Sequence, residues 1–514
     1  MTAATLMVQG TASSVGKSLL VTALCRLFHR AGLRVAPFKS QNLALNSAVT
    51  FDGLEIGRAQ AVQAEAAGAV ATVDMNPILL KPEGDRRCQV VVLGKPIGSM
   101  TAAELRAYKP ALPPIIASSL ARLRADHDLV VIEGAGSPAE INLKHDELVN
   151  MHVARLADAP VLLVGDIDRG GVFAAFVGTL ELLEPDERAR IAAFVVNKFR
   201  GDLALLAPGL DMLTERTGKP VLGVVPYVHG LRISDEDSLS LDHRSARRRP
   251  PPSQLDIAVV RLPRISNFDD VEALEHEPGV AVRFVDDPTA LADADLVMLP
   301  GSKNTAGDLA WLRATGLADA ILARAASGAP ILGICGGCQM LGQRIEDPHG
   351  VESGEVQLAG LGLLPLATRF GLDKRTTQVT AHVASPSFLT DGSALGEPIA
   401  GYEIHMGTVE PTGPVRRAFA LDTRNHSPVT ALDDGAVGGG GSIVGTMLHG
   451  LFENDALRAR TLAALRSRRG LPSPVQAIRI PTKQAEYDRL EAAVRASLDL
   501  DLLWRIIGRA PKQP

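Results

Sequence analysis

Four cysteines, Cys25, Cys88, Cys335 and Cys338, are too few in 514 residues for a disulfide framework, which fits a reducing compartment. Long apolar runs are missing as well. No uncharged stretch reaches the roughly 18 residues of a membrane-spanning helix. The first residues, Met-Thr-Ala-Ala-Thr-Leu-Met-Val-Gln-Gly, lack the basic start and extended apolar core of a signal peptide. Neither sign of charge dominates: 53 Lys and Arg stand against 58 Asp and Glu, a net charge of −5 mixed along the chain. That leaves no basic face for nucleic acid. These absences predict a cytoplasmic protein without nucleic-acid or membrane partners; they say nothing of oligomeric state.

What is present is apolar bulk. Hydrophobic residues make up 46% and charged residues 22%, enough to bury large cores, and the length implies two or three domains. The segment RSARRRPPPS at 244–253 cannot pack as a helix or central strand, so 244–254 is predicted to link a domain at 1–243 to one at 255–460. Residues 461–514 read as a helical segment with a polar tail. Short apolar runs recur on both sides of the linker, separated by helix-length stretches. They are Thr5–Val8, Leu129–Ile132, Val161–Val164, Phe194–Val196 and Val221–Val224, then Ile257–Val260, Leu296–Leu299, Ile331–Ile334 and Ile443–Met447. This rhythm predicts an α/β protein of two doubly wound parallel-sheet domains.

The first run ends in Gly10-Thr11-Ala12-Ser13-Ser14-Val15-Gly16-Lys17-Ser18, followed by a helical pattern from Leu19 to His29. Backbone N–H groups at a helix start, with the helix dipole behind them, suit a polyanion. Lys17 is placed to reach the outer phosphates of ATP, and the Ser18 hydroxyl to hold magnesium. The first glycine lies one residue further out than in the usual G-x-x-x-x-G-K-[ST] pattern. A magnesium–ATP site needs carboxylates too. Glu133 follows the run Leu129–Ile132 directly and is the first candidate; Glu55 is the second. Asp166 and Asp168 follow another run, at strand ends where open α/β sheets bind ligands. Asn197 and Lys198 follow the next, and read either as a pair that recognises a nucleotide base or as a plain surface turn.

In the second half, Pro330–Ile334 runs into Cys335-Gly336-Gly337-Cys338-Gln339. A cysteine between strand and helix, flanked by glycines, is a nucleophile elbow. The helix start stabilises a thiolate and offers N–H donors for an oxyanion. His449, just after the run Ile443–Met447, is the candidate base, so that Cys335 and His449 form a pair for amide hydrolysis. Cys335 and Cys338 also spell C-x-x-C, but no second pair or histidine cluster completes a zinc site, and redox use leaves the elbow unexplained.

The phosphate loop resembles that of dethiobiotin synthetases, the elbow that of the flavodoxin-like class I glutamine amidotransferases, and both halves in this order resemble the cobalamin-pathway amidoligases of the cobyric acid synthase family. The segments that carry the likeness run from about residue 5 to 460. They include KSQNLALNS at 39–47, EIGRAQ at 55–60, MNPILLKP at 75–82, EGAGSPAEINL at 133–143, RISNFDD at 264–270, PGSKNT at 300–305 and GYEIHMG at 401–407. The resemblance implies ATP- and glutamine-dependent amidation of four carboxylates (b, d, e and g) of a corrinoid, adenosylcobyrinic acid a,c-diamide, through an acyl phosphate. It implies Cys335 as nucleophile, His449 as base, Lys17 as phosphate ligand, and Ser18, Glu55 and Glu133 as magnesium ligands. A sister family that makes the a,c-diamide itself shares the architecture but not KSQNLALNS and MNPILLKP. A partitioning-type ATPase would carry an extra lysine between Thr11 and Val15 and leaves Cys335 and His449 unexplained. A nonenzymatic corrin-binding protein leaves the intact GKS and elbow without a use.

Two departures stand out. Many class I enzymes have a glutamate two residues after the histidine, where this chain has Leu451. The acid that orients His449 is therefore open between Glu453, Glu403 and none. Cys338 stands where an aromatic residue is more familiar. The chemistry agrees with joining the two halves: a carboxylate is a poor electrophile and needs phosphoryl activation, while ammonia is mostly protonated near neutrality and is best delivered from a tethered site by a protected route. Lys39, Arg58, Lys81, Arg86, Arg87 and Lys144 are candidates for holding acceptor carboxylates or phosphates.

Overall fold

A computed structural model describes residues 2–84, 86–233, 249–353, 355–390, 398–472 and 482–510. Its first half is built on a six-stranded, all-parallel sheet. The strands lie in the order Val221–Pro226, Ile191–Phe199, Val161–Asp166, Ala4–Gly10, Leu129–Glu133 and Val35–Phe38. Successive residues point to opposite faces. Leu6 and Val8 therefore join one core, with the helix Lys17–Arg30, while Met7 joins the other, with Ile132, Leu163 and Phe176. Burial on both faces is why these strands read as unbroken apolar runs.

The second half has its own parallel sheet in the order Val280–Val285, Leu255–Val260, Leu296–Leu299, Ile331–Ile334 and Ile443–Thr446, with Ala436–Gly438 antiparallel at the edge. Two of these parallel strands, Val35–Phe38 and Val280–Val285, are absent from the runs picked out in the sequence. Both lie at sheet edges.

The doubly wound expectation also misses further sheets, largely but not wholly antiparallel. Gln41–Leu43, Ile78–Pro82, Arg87–Val92 and Lys95–Thr101 form a separate four-stranded sheet in the first half. In the second half Leu366–Val383 pairs with Pro398–Pro411 in a long hairpin that reaches toward the first domain. Most of these strands mix polar with apolar residues, while residues 78–80 and 90–92 are short buried apolar runs within them.

Residues 244–248 of the predicted linker lie outside the described residues; the chain from 249 leads into the strand Leu255–Val260. The segment predicted at 461–514 divides in space. The helix Asp455–Arg469 packs Leu457, Leu462 and Leu465 into the second core. The helices Lys483–Arg495 and Leu500–Ile507 return to the first domain, where Leu490, Val494, Leu503 and Ile507 share a core with Leu20, Leu24 and Phe28. Arg26 pairs with Asp488 at 2.9 Å and the Trp504 ring meets Phe28 edge-on at 5.2 Å. Among the described residues no helix is long and apolar enough to cross a membrane.

Candidate active sites

The strand Ala4–Gly10 delivers the chain to the carboxyl edge of the first sheet, where residues 11–16 turn into the helix Lys17–Arg30. Gly10 closes the strand, and the Thr11 N–H is tied to the Val164 carbonyl at 2.9 Å. Gly16 has φ +96, and a Cβ there would lie 2.2 Å from the Asn197 amide nitrogen, so both backbone and space demand glycine. Asn197 Nδ2 donates to the Val15 carbonyl at 2.8 Å, and Lys198 Nζ donates to the Ser14 carbonyl at 2.7 Å while pairing with Asp166 at 2.9 Å. The loop is thus held by two side chains of the strand Ile191–Phe199. Lys17 Nζ curls back over it, donating to the carbonyls of Ala12 (3.1 Å) and Gly136 (3.2 Å). Asp168 pairs with Arg200 at 3.2 Å.

Ser18 and Glu133 meet as the sequence suggests: the hydroxyl donates to Oε1 at 2.9 Å. The same oxygen takes Lys39 Nζ at 3.0 Å, and Oε2 takes Gln63 Nε2 at 2.6 Å. Glu133 is fully buried, and a carboxylate there requires such partners. A hydroxyl and a carboxylate at this spacing are hard oxygen donors of the kind magnesium takes, with phosphate and water completing the shell. Glu55 is placed differently. One of its oxygens takes Lys81 at 2.8 Å and the other takes Lys374, from the second domain, at 2.5 Å. Burial alone would raise its pKa, but the two lysines hold it well below the usual carboxylate range. Glu55 therefore anchors an ion triad across the domain boundary instead of joining Ser18 and Glu133.

Beside the loop lies a cavity of about 270 Å³ lined by Leu19, Asn197, Lys198, Tyr227, Leu231 and Leu490. Its wall includes the helix Lys483–Arg495, a contribution that residue order gives no hint of.

The second site forms where the strands Ile331–Ile334 and Ile443–Thr446 lie side by side, with Ile334 opposite Thr446. Cys335 and His449 follow these two strands at their carboxyl ends. The Cys335 N–H donates to the Thr446 carbonyl at 2.8 Å. Cys335 has φ 52 and ψ −109, the strained elbow geometry, and the helix Gly336–Leu341 begins immediately after it. At Gly337 a Cβ would lie 2.0 Å from the Leu299 carbonyl, so the tight turn tolerates no side chain. At Gly336 a Cβ would lie 2.8 Å from the Ser302 backbone nitrogen, so this position too is closely packed. Cys338 is fully buried against Gly445, and all four cysteines are free thiols.

The acid that orients His449 is Asp270. His449 Nδ1 lies 2.7 Å from Asp270 Oδ2, and the Gly450 N–H donates to Oδ1 at 2.8 Å. Burial alone would lower the imidazole's pKa. The charge and hydrogen bond of Asp270 overcome this, Cys335 adds to the effect, and the value rises to about 10. The Tyr402 ring stacks on the imidazole with centroids 5.1 Å apart. The acids expected from the sequence are engaged elsewhere: Glu403 with Thr377 (2.8 Å) and Arg424 (2.7 Å), Glu453 with Lys483 (2.8 Å). Asp270 sits in RISNFDD, a segment conspicuous in the sequence but far from His449 along the chain. Its role needs the turn Phe268–Val271, which follows Asn267 at φ 52.

Of the six basic candidates, Lys39 and Lys81 are buried against Glu133 and Glu55, and Arg58 pairs with Asp269 at 2.7 Å. Lys144 pairs with Glu187 at 2.8 Å. Arg86 and Arg87 line a cleft of about 620 Å³ between the domains, together with Lys303, Asn304 and His349.

Comparison with known proteins agrees with the two-site geometry. Residues 6–241 match the CobQ/CobB/MinD/ParA nucleotide binding domain, and residues 256–457 match the CobB/CobQ-like glutamine amidotransferase domain. The chain is 65% identical to the cobyric acid synthase of Sorangium cellulosum over 99% of each chain. It is 52% identical to that of Moorella thermoacetica, over 98% of this chain and 97% of the relative, and 50% identical to one from Dehalococcoides mccartyi, over 98% of each.

Proposed function

This chain belongs to the cobyric acid synthase family, and from that premise we propose that it amidates the four peripheral carboxylates b, d, e and g of adenosylcobyrinic acid a,c-diamide in the cytoplasm, using one ATP and one glutamine for each. The observation that carries this reading is the union in one chain of a phosphate loop bearing Lys17 and Ser18 with a buried Cys335–His449–Asp270 group. Neither half alone makes an amide from a carboxylate.

At the second site His449 holds the proton taken from Cys335, the resulting thiolate attacks the side-chain carbonyl of glutamine, and backbone N–H groups at the elbow take the developing oxyanion. His449, protonated across neutral pH by its contact with Asp270, gives its Nε2 proton to the leaving ammonia. Water then cleaves the thioester and releases glutamate and the thiol.

At the first site Lys17 and the loop N–H groups bind the ATP phosphates, and Asn197 and Lys198 keep the loop in shape for them. The acceptor carboxylate takes the γ-phosphoryl group to give an acyl phosphate and ADP. Ammonia attacks the acyl carbon, and phosphate leaves. Magnesium held by Ser18 and Glu133 would offset the charge of the phosphates. The sum for each step is carboxylate, ATP, glutamine and water giving amide, ADP, phosphate and glutamate. Ligase is the class this stoichiometry defines.

Mass spectrometry of cobyrinic acid a,c-diamide, in its adenosylated form, after incubation with the protein, ATP, magnesium and glutamine tests the proposal. A ladder of four successive amidations is expected. An unchanged corrinoid, with glutamine hydrolysis and ATP turnover intact, would move the activity to another carboxylate.

A further inference from the structure

Arg58 opens the helix Arg58–Ala66 of the nucleotide-binding domain, yet its guanidinium is spent in the other domain. Nη2 pairs with Asp269 Oδ2 at 2.7 Å, and donates to the Tyr402 phenol oxygen at 2.6 Å and to the Ser47 carbonyl at 3.1 Å. Asn267 closes the same ring, its Nδ2 donating to the Tyr402 oxygen at 2.9 Å and to the Ser47 carbonyl at 3.1 Å. Arg58 and Asp269 are both largely buried, with side-chain exposures of 15% and 12%.

Both residues that Arg58 grips adjoin the catalytic imidazole. Asp269 precedes Asp270 on the turn Phe268–Val271, and Asp270 holds His449 Nδ1. Tyr402 stacks on the imidazole at an interplanar angle of 14° and exchanges backbone hydrogen bonds with His449 at 3.2 and 2.9 Å. The imidazole therefore has two supports, one polar and one stacking, and a single cation from the neighbouring domain is tied to both. Burial pushes the Asp269 carboxyl up, and Arg58 opposes that push. Without Arg58 the turn would carry a buried acid that has lost its paired cation, next to the acid that orients the base.

We propose that Arg58 is a positioning residue for glutamine hydrolysis: through Asp269 and Tyr402 it holds Asp270 and His449 in register with Cys335, so that the glutaminase site is complete only when the nucleotide-binding domain is docked on it. This rests on the reading of Cys335 and His449 as the glutamine-hydrolysing pair. Arg58 itself touches neither substrate nor the reacting atoms.

The test compares Arg58→Met and Arg58→Lys with the unaltered full-length protein, measuring kcat and KM for glutamine hydrolysis and, separately, ammonia-supported amidation of the corrinoid with ATP. A misplacement of about 1 Å at a catalytic group costs ~100-fold in rate. Arg58→Met is expected to lower kcat for glutamine by ~10- to 100-fold with little change in KM, and to leave ammonia-supported amidation standing. Arg58→Lys, which keeps the charge for Asp269, is expected to recover part of the loss. Unchanged kcat in Arg58→Met overturns the proposal, as does a parallel fall of both activities. If the unaltered protein hydrolyses glutamine but amidates no corrinoid with ammonia, the substrate reading fails instead. Arg58 is then judged on kcat for glutamine alone, with circular dichroism reporting the fold: a reduced kcat at native spectrum supports the proposal, and an unchanged one overturns it.

Discussion

The carboxylate of Asp270 and the imidazole of His449 meet at 2.7 Å, with side-chain exposures of only 3% and 1%. The bond uses Nδ1 and leaves Nε2 for chemistry at Cys335. Leu451 stands two residues after the histidine, and the carboxylate beside the imidazole comes from the turn Phe268–Val271 instead. A carboxylate in this position fixes the tautomer and stabilises the imidazolium.

Asp270→Asn is therefore expected to lower kcat for glutamine by ~100-fold or more. The pH profile should change in a defined direction. In the native protein His449 keeps its proton up to about pH 10. With Asp270 neutral, only Cys335 is left to oppose burial and the imidazole loses its proton at lower pH, so the alkaline limb of kcat/KM for glutamine should move down. A profile that keeps its alkaline limb in the variant would remove Asp270 from the site.

Lys17→Ala should abolish ATP-dependent amidation with either nitrogen source while glutamine hydrolysis persists. Loss of one charge-stabilising group at a phosphoryl-transfer site costs ~100- to 1000-fold. Amidation that survives in this variant would contradict the phosphate-loop assignment.

The Glu55 triad makes a prediction about stability. A group whose folded pKa is depressed stabilises the fold above its unfolded pKa, and that contribution fades as pH falls. Glu55 is such a group, held low by Lys374 and Lys81 against its burial. Lys374→Met removes one partner of a buried ion pair, a change that costs about 3 kcal/mol. Because Glu55 is then held less far down, the acid destabilisation that it contributes should shrink, so that stability falls less as pH drops below its unfolded pKa. Thermal unfolding followed from pH 7 to about pH 2 measures both effects.

Leu490→Ala addresses the helix Lys483–Arg495. Leu490 is 3% exposed and lines the cavity beside Asn197 and Lys198. The substitution should raise KM for ATP and leave KM for glutamine unchanged; truncation of a buried leucine also costs about 2–5 kcal/mol. An unaltered KM for ATP would show that the helix closes the core without touching the nucleotide.

The legible parts of this molecule are the local ones. Both central sheets were readable because strands buried on two faces are continuous apolar runs, and the phosphate loop and elbow were readable because each lies on one short stretch of chain. Glu133 was legible as a candidate because it follows an apolar run directly, and the fold brings it to Ser18. What could not be read depends on tertiary register. Asp270 reaches His449 only through a turn that no periodicity signals, and Glu55 is diverted by Lys374, which arrives on a hairpin from the other domain. The return of the Lys483–Arg495 helix to the nucleotide site is a long-range contact with no local mark in its sequence.

The division of labour between Cys335 and the phosphate loop is tested most directly by Cys335→Ala, supplied with ATP, magnesium and the corrinoid and given glutamine or ammonia in turn. The account predicts no amide from glutamine and continued amide formation from ammonia. Loss of both activities in a variant with a native circular dichroism spectrum, or amide formation from glutamine without Cys335, would contradict it.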